Sequence, residues 1–331
     1  MKTVVIGSGS WGTALAQVLV DNGQNCIIWG KNHEEVNEIQ NEHTIKKFFP
    51  DVQLNPQLQA TADLSVIKDA DVVLLSVPSI AIEEVCQGIL PYLTKKIIVV
   101  NTAKGFHPGN NDRMSNVIRD CIPSDKLSSV VSLIGPSHAE EVVLRMLTTI
   151  CAVSLNEADA MTIQHLFSNN YFRVYRGNDE LGSELGVAVK NAIALASGVL
   201  AGLGYGDNTK AALITRGLAE MIRFGTAMGG RQETFMGLTG IGDLVVTCTS
   251  VHSRNFQAGY QIGKADDAQV FWQNNTKTVE GVRTAKVLYE LKEQHQIDMP
   301  IVDEIYKVLY EGKRPSVSAR DLMLRELKAE L

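Results

Sequence analysis

The chain has 331 residues, enough for two domains that each bury a core, and 45% hydrophobic, 21% charged and 9 Pro residues describe a globular protein rather than a disordered or fibrous one. With 31 Lys and Arg against 37 Asp and Glu the net charge is -6, which excludes the broad basic surface that nucleic-acid binding requires, so no nucleic-acid partner is expected. The five cysteines, Cys26, Cys86, Cys121, Cys151 and Cys248, are widely spaced without a C-x-x-C pair, which excludes a disulfide framework or zinc knuckle and fits reduced thiols in a cytoplasmic protein.

The N-terminus, MKTVVIG, enters strand-like sequence at once and lacks the apolar stretch and small-residue cleavage site of an export signal, so a cytoplasmic location is expected. Short apolar runs at 3–6, 26–29, 71–77, 97–101, 129–134 and 148–154 alternate with amphipathic segments. Many are apolar on consecutive residues, as strands buried on both faces are, and the alternation predicts a largely parallel sheet with helices on both sides. Around FRVYRGND, at 172–179, the strand signals stop.

From Glu180 the sequence reads as helix after helix, with Gly-rich or polar connections at 202–208, 228–230 and 274–281 and a break at Pro300. The expected fold is α/β: an N-terminal Rossmann-type, doubly wound, mostly parallel sheet over 1–182, followed by an all-helical C-terminal domain over 183–331. The most membrane-like stretch, VAVKNAIALASGVLAGLGY at 187–205, is interrupted by Lys190 and Asn191. It predicts a buried core helix and no membrane span.

Within VVIGSGSWGTALAQ, at 4–17, Gly7, Gly9 and Gly12 form a G-x-G-x-x-G directly after a strand and at the start of a helix. Gly7 permits the tight turn, Gly9 leaves room for a pyrophosphate, and Gly12 lets the helix pack closely, so the N–H groups at the helix start suit a dinucleotide. A glycine turn without a ligand is the plain alternative, and Trp11 either packs or lies along the nucleotide. The second strand's end, IIWGKNHEE at 27–35, has Gly30, Lys31 and Asn32 where a strictly NAD-binding site would carry an acid; Glu34 and Glu35 come several residues late. Lys31 suits a 2'-phosphate, so NADP is accepted beside NAD, unless it is simply a solvated lysine.

Later strand ends, SVPS (76–79), NTAKGF (101–106) and IGPSHAEE (134–141), bring polar groups to the same crevice. Lys104 is a cation at the nicotinamide end or a surface lysine, and Gly135 with Ser137 offers a carbonyl and a hydroxyl at a turn. Around Lys190, Ser183, Gly186, Ala194 and Ser197 sweep one helix face clear of bulk, which leaves room for a ligand beside the ammonium; snorkelling to solvent is the alternative. In LTGIGDLVVTCTSVHSRNFQAG, at 238–259, a helical GDLVVTC puts Asp243 and Thr247 on one face. Ser253, Arg254 and Asn255 form a short polar link before the next helix, a combination suited to phosphate, with an N-cap plus a surface arginine as the bland reading. The seven histidines are scattered without H-E-x-x-H spacing and no G-x-S-x-G occurs, so neither a metal site nor a serine hydrolase is expected.

Taken in order, GSGSWGTALA, NTAKGF, IGPSHAEEV, LGVAVKNAIALASGVLAGLGYGDNTKAALITRGLAEM, GLTGIGDLVVTCTS with SRN, and VEGVRTA resemble the sequence blocks of the bacterial NAD(P)-dependent glycerol-3-phosphate dehydrogenases across nearly the whole chain. The resemblance implies a Rossmann-type domain and a helical domain, a homodimer, and NAD(P)H-dependent interconversion of dihydroxyacetone phosphate with sn-glycerol 3-phosphate, the backbone of glycerophospholipids. It makes Lys190 the proton-transfer residue, with Asp243 to orient it and Lys104 to add positive charge. Substrate positions fall on Lys104, Gly135, Ser137, Asp243, Ser253, Arg254 and Asn255. Cofactor positions fall on the three glycines, Ser10, Trp11, Lys31, Lys104, Ala139 and Glu280, and Arg254 resembles a residue touching both ligands.

Two departures stand out: His138 where the family often has Phe, and FFPDVQL at 48–54 in place of a leucine-proline-glycine turn. A different hydroxy acid or an opine-type amino acid as substrate would leave Arg254 and Asn255 without a purpose. A non-catalytic dinucleotide sensor would have little use for a secluded lysine.

Overall fold

The β-branched run KTVVI forms β1 (Lys2–Ile6), buried at all but its first residue, in a computed structural model that describes residues 1–275, 279–327 and 329–330. Its neighbours are β2 (Asn25–Trp29), β3 (Gln59–Thr61), β4 (Val72–Leu75), β5 (Ile97–Asn101), β6 (Leu127–Ile134), β7 (Thr148–Val153) and β8 (Phe172–Gly177). Among the described residues they form one sheet in the order β3-β2-β1-β4-β5-β6-β7-β8. All pairs are parallel except β6 with β7, where Ser132, Leu133 and Ile134 face Val153, Ala152 and Cys151. The order reverses between β1 and β4, so the chain winds outward in both directions from β1, and the crevice at that reversal is where a doubly wound sheet takes its ligand.

Helices α1 (Ser10–Asp21), α2 (His33–Asn37), α3 (Ile82–Ile89), α4 (Met114–Cys121), α5 (Ala139–Val142) and α6 (Glu157–Phe167) connect the strands. Alternate strand residues feed two apolar cores: Val5, Val72 and Leu74 pack with α1 and α6, while Val4, Ile6, Val73 and Leu75 pack with α3 and α4. Burial on both faces explains the unbroken apolar runs in the sequence. Phe49 and Leu54 of the 48–54 turn are buried in the first core, and Trp11, Phe48 and Val52 pack against it.

The chain divides into two units, Met1–Glu184 and Leu185–Leu331. The remaining elements are helical: α7 (Glu180–Gly202), α8 (Asp207–Ala227), α9 (Gln232–Phe235), α10 (Asp243–Thr249), α11 (Arg254–Ala265), α12 (Gln269–Asn274), α13 (Glu280–Gln294), α14 (Pro300–Tyr310) and α15 (Pro315–Met323). Thus the Rossmann-type α/β fold with a helical C-terminal region is as expected. The connections anticipated at 202–208 and 228–230 separate α7 from α8 and α8 from α9, and Pro300 opens α14. Of the one at 274–281, residues 276–278 lie outside the described residues. Helix α7 is long and apolar enough to cross a membrane, yet 83% of its most apolar stretch is buried within the protein.

Three features differ from the sequence expectation. Strand β3 is an edge strand of only three residues with no apolar run to announce it. Strand β8 extends the sheet through 172–177, where alternating buried and exposed side chains mark an edge rather than the interior. Strand β7 runs antiparallel to β6, a reversal that its apolar run does not announce.

Candidate active site

Gly7 has a φ of +117°, and a Cβ there would strike the backbone of Ser76 at the end of β4. A Cβ on Gly12 would collide with the carbonyl of Gly7, so the third glycine lets α1 rise directly against the loop. Around Gly9 the space is open, with no atom within 4 Å of an added Cβ. Gly9 also caps α1 without a side-chain acceptor, and no acidic residue stands in the helix's first turn. A cradle of backbone N–H groups at a positive helix end, kept open by glycine, fits a pyrophosphate.

Ser10 begins α1, and the half-buried Trp11 follows on the apolar core with Phe48 and Val52. Lys31, just past β2, is 88% exposed in its side chain, with Glu84 Oε1 4.0 Å away. Glu35, which linear spacing set aside, turns back to the glycine loop: its Oε2 accepts a hydrogen bond from Ser8 Oγ at 2.9 Å. The signal was hidden because this acid lies in the first turn of a five-residue helix, α2, and not at the strand end itself.

Farther along the sheet, Lys104, Gly135 and Ser137 come together. Lys104 Nζ donates to the Gly135 carbonyl at 3.3 Å, and Ser137 Oγ donates to the same oxygen at 3.1 Å. Ala139, buried, opens the short helix α5, for which His138 is the N-cap residue without contributing a side-chain cap bond.

The second unit holds a buried ion pair. Lys190 Nζ donates to Asp243 Oδ1 at 2.6 Å and to Thr247 Oγ1 at 2.7 Å, and Thr247 Oγ1 in turn donates to the Asp243 carbonyl at 2.6 Å. Helix α10 presents Asp243 and Thr247 one turn apart on the face that meets α7, as the i, i+4 spacing predicted. The Lys190 and Asp243 side chains are 5% and 1% exposed, so the ammonium does not snorkel to solvent. Burial pushes the nearby Cys248 thiol up to about 12, which keeps it neutral beside the pair.

Two of the four small residues around Lys190, Gly186 and Ser197, meet backbone where the sequence suggested open space. A Cβ on Gly186 would lie 2.6 Å from the Thr239 carbonyl, and Ser197 Oγ donates to the Cys248 carbonyl at 2.8 Å. Backbone therefore occupies the space at these two positions. Their smallness serves close packing, and Lys190 is fixed by polar partners instead.

Ser253 is the N-cap of α11, its Oγ accepting from the Phe256 N–H at 3.2 Å. Arg254 and Asn255 lie within the first helical turn rather than in a preceding link. The Arg254 side chain belongs to an exposed residue, whereas Asn255 is buried. Asn255 Nδ2 donates to Asn191 Oδ1 at 2.9 Å, and its Oδ1 accepts from the Gly281 N–H at 2.9 Å. Asn191, the residue after Lys190 and in the sequence only a break in an apolar run, thus ties α7 to α11, and Asn255 extends the link to the start of α13, where Glu280 sits.

A glycine-cradled doubly wound sheet and a helical unit carrying a secluded lysine–carboxylate pair define a nicotinamide-dinucleotide-dependent oxidoreductase. Family models described as the N-terminus and C-terminus of NAD-dependent glycerol-3-phosphate dehydrogenase match residues 2–160 and 179–320. The chain is 48% identical over 330 residues to glycerol-3-phosphate dehydrogenase [NAD(P)+] of Enterococcus faecalis, covering 99% of this chain and 97% of that one. It is 46% identical to the enzyme of the same name from Bacillus subtilis over 325 residues, 98% of this chain and 94% of that one. The crystal structure of glycerol-3-phosphate dehydrogenase from Coxiella burnetii superposes with a TM-score of 0.89 at 33% identity, covering 98% and 99% of the two chains. The chain belongs to the NAD(P)-dependent glycerol-3-phosphate dehydrogenase family.

Proposed function

We propose that this chain interconverts dihydroxyacetone phosphate and sn-glycerol 3-phosphate with NADH or NADPH, and that Lys190 moves the proton. The observation that carries the reading is the buried Lys190–Asp243 contact at 2.6 Å, with Thr247 as second partner. The bound coenzyme supplies or accepts the hydride at the substrate's C2. The residues proposed to hold it are Gly7, Gly9 and Gly12 with Ser10 and Trp11 on the pyrophosphate side, Lys31 at the adenosine end, and Lys104, Ala139, Arg254 and Glu280.

In reduction, the ketone oxygen becomes an alkoxide and takes a proton from Lys190 Nζ. An ammonium aimed at that oxygen stabilises the developing charge as well as supplying the proton. Asp243 and Thr247 hold the buried Lys190 Nζ in place by accepting its hydrogen bonds. Oxidation runs the step backward and needs the neutral amine to accept the proton, so it is favoured by more alkaline pH than reduction.

For the phosphate, the proposal assigns Ser253, Arg254 and Asn255 at the start of α11, where a guanidinium fork, an amide and helix-start N–H groups converge in sequence. Lys104, Gly135 and Ser137 are assigned to the substrate's glycerol portion. All five cysteines are free thiols, which supports a cytoplasmic setting, and the family resemblance supports a homodimer. The direct test is a spectrophotometric assay of NADH and NADPH oxidation with dihydroxyacetone phosphate. Turnover is expected, and its absence with both coenzymes would overturn the reading.

A further inference from the structure

Gly30 occupies the end of β2, where Rossmann-type sites usually offer a carboxylate to the adenosine ribose. A Cβ at Gly30 would lie 2.6 Å from Ser8 Oγ and 2.9 Å from Val36 Cγ2, so no side chain fits there as the backbone stands. An acid reaches the same place from α2. Asn32 caps that helix by accepting from the N–H groups of Glu34 at 2.9 Å and Glu35 at 3.4 Å, which directs the first turn back toward β1.

Glu35 Oε2 then accepts from Ser8 Oγ at 2.9 Å, and Glu35 Oε1 pairs with Lys47 Nζ at 2.7 Å. Its side chain is only 14% exposed. Ser8 is the residue between Gly7 and Gly9, so the carboxylate is fastened to the glycine loop itself, on the β2 side. Lys31 stands at the same strand end with the opposite charge and 88% side-chain exposure.

We propose that Glu35 is a coenzyme-selecting residue of this chain: held on the glycine loop by Ser8, it accepts a hydrogen bond from the adenosine 2'-hydroxyl of NADH and opposes the 2'-phosphate of NADPH. Lys31 acts in the opposite sense, and Lys47 tempers the carboxylate's charge. The balance of these groups sets the preference between the two coenzymes. This rests on the reading of residues 7–12 as a dinucleotide site.

The test titrates the full-length wild type, Glu35→Gln and Lys47→Gln with NADH and NADPH by nicotinamide fluorescence, and measures kcat/KM with each coenzyme. Glu35→Gln removes the charge and is expected to raise the NADPH-to-NADH affinity ratio on the order of tenfold, the scale of one hydrogen bond to a charged group. Lys47→Gln leaves the carboxylate without its cation and is expected to lower that ratio. A purely structural role would move both coenzymes together, so an unchanged ratio in Glu35→Gln with both coenzymes still bound overturns this proposal and leaves the dinucleotide site standing. Wild type that binds neither coenzyme overturns both. Should Glu35→Gln not fold, Lys47→Gln decides, and an unchanged or raised ratio there counts against the proposal.

Discussion

Lys190 Nζ and Asp243 Oδ1 meet at 2.6 Å although 53 positions apart in sequence, with neither side chain more than 5% exposed. Removing one partner of a buried ion pair strands the other, at a cost of about 3–5 kcal/mol. Asp243→Asn is therefore expected to lower the melting temperature. It also makes the ammonium harder to retain, so reduction of dihydroxyacetone phosphate loses activity at a lower pH than in wild type. A pH–rate profile that overlays wild type while only the melting temperature falls would reduce Asp243 to a structural role.

Arg254 provides an exposed guanidinium in the first turn of α11, next to the buried Asn255. Arg254→Ala is expected to cut kcat/KM for dihydroxyacetone phosphate by roughly ten- to a hundredfold, the range of charged hydrogen bonds, and to leave the already poor use of unphosphorylated dihydroxyacetone nearly unchanged. Steady-state kinetics with both substrates separates this from a coenzyme or folding defect, which would penalise the two alike.

Lys31→Asp replaces the proposed partner for the 2'-phosphate with a like charge at the end of β2. The expected outcome is a greater loss of kcat/KM with NADPH than with NADH. Equal losses would mean that Lys31 does not read the phosphate.

Glu220, only 3% exposed, accepts from the N–H groups of Ile301 at 2.7 Å and Val302 at 3.3 Å at the start of α14. Burial pushes its carboxyl up to about 8. Between the ordinary glutamate range and pH 8 the folded protein thus holds a proton that the unfolded chain has released, and this contribution to stability declines as pH rises through that window. Glu220→Gln removes the titration. Melting curves from pH 5 to 8 are expected to show a shallower fall in Tm with pH for the variant; parallel slopes would contradict the assignment.

The fold class was legible because strands buried on both faces leave continuous apolar runs such as Val72–Leu75, and because each helical stretch kept its own period. Edge elements were not: β3 has three residues, and β8 alternates, since one of its faces is exposed. In the site, the one-turn spacing of Asp243 and Thr247 could be read locally. Their meeting with Lys190 could not, because it depends on which helix faces α10. Gly186 and Ser197 were misread as ligand space for the same reason: smallness in a sequence marks close approach without saying whether backbone or ligand makes it. Glu35 escaped because a short capped helix returns it to a loop that linear spacing had placed out of reach.

If the Lys190 ammonium protonates the substrate oxygen, Lys190→Met, which keeps a side chain of similar length without the charge, removes the proton donor and little else. The measurement is the single-variant rate of NADPH oxidation with saturating dihydroxyacetone phosphate, taken alongside NADPH affinity by fluorescence titration. Wild-type coenzyme affinity is expected, with turnover at least ~10²-fold lower, the low end for general acid catalysis. Near-native turnover in a variant that binds NADPH normally would contradict it, and would turn attention to Lys104 as the proton's source.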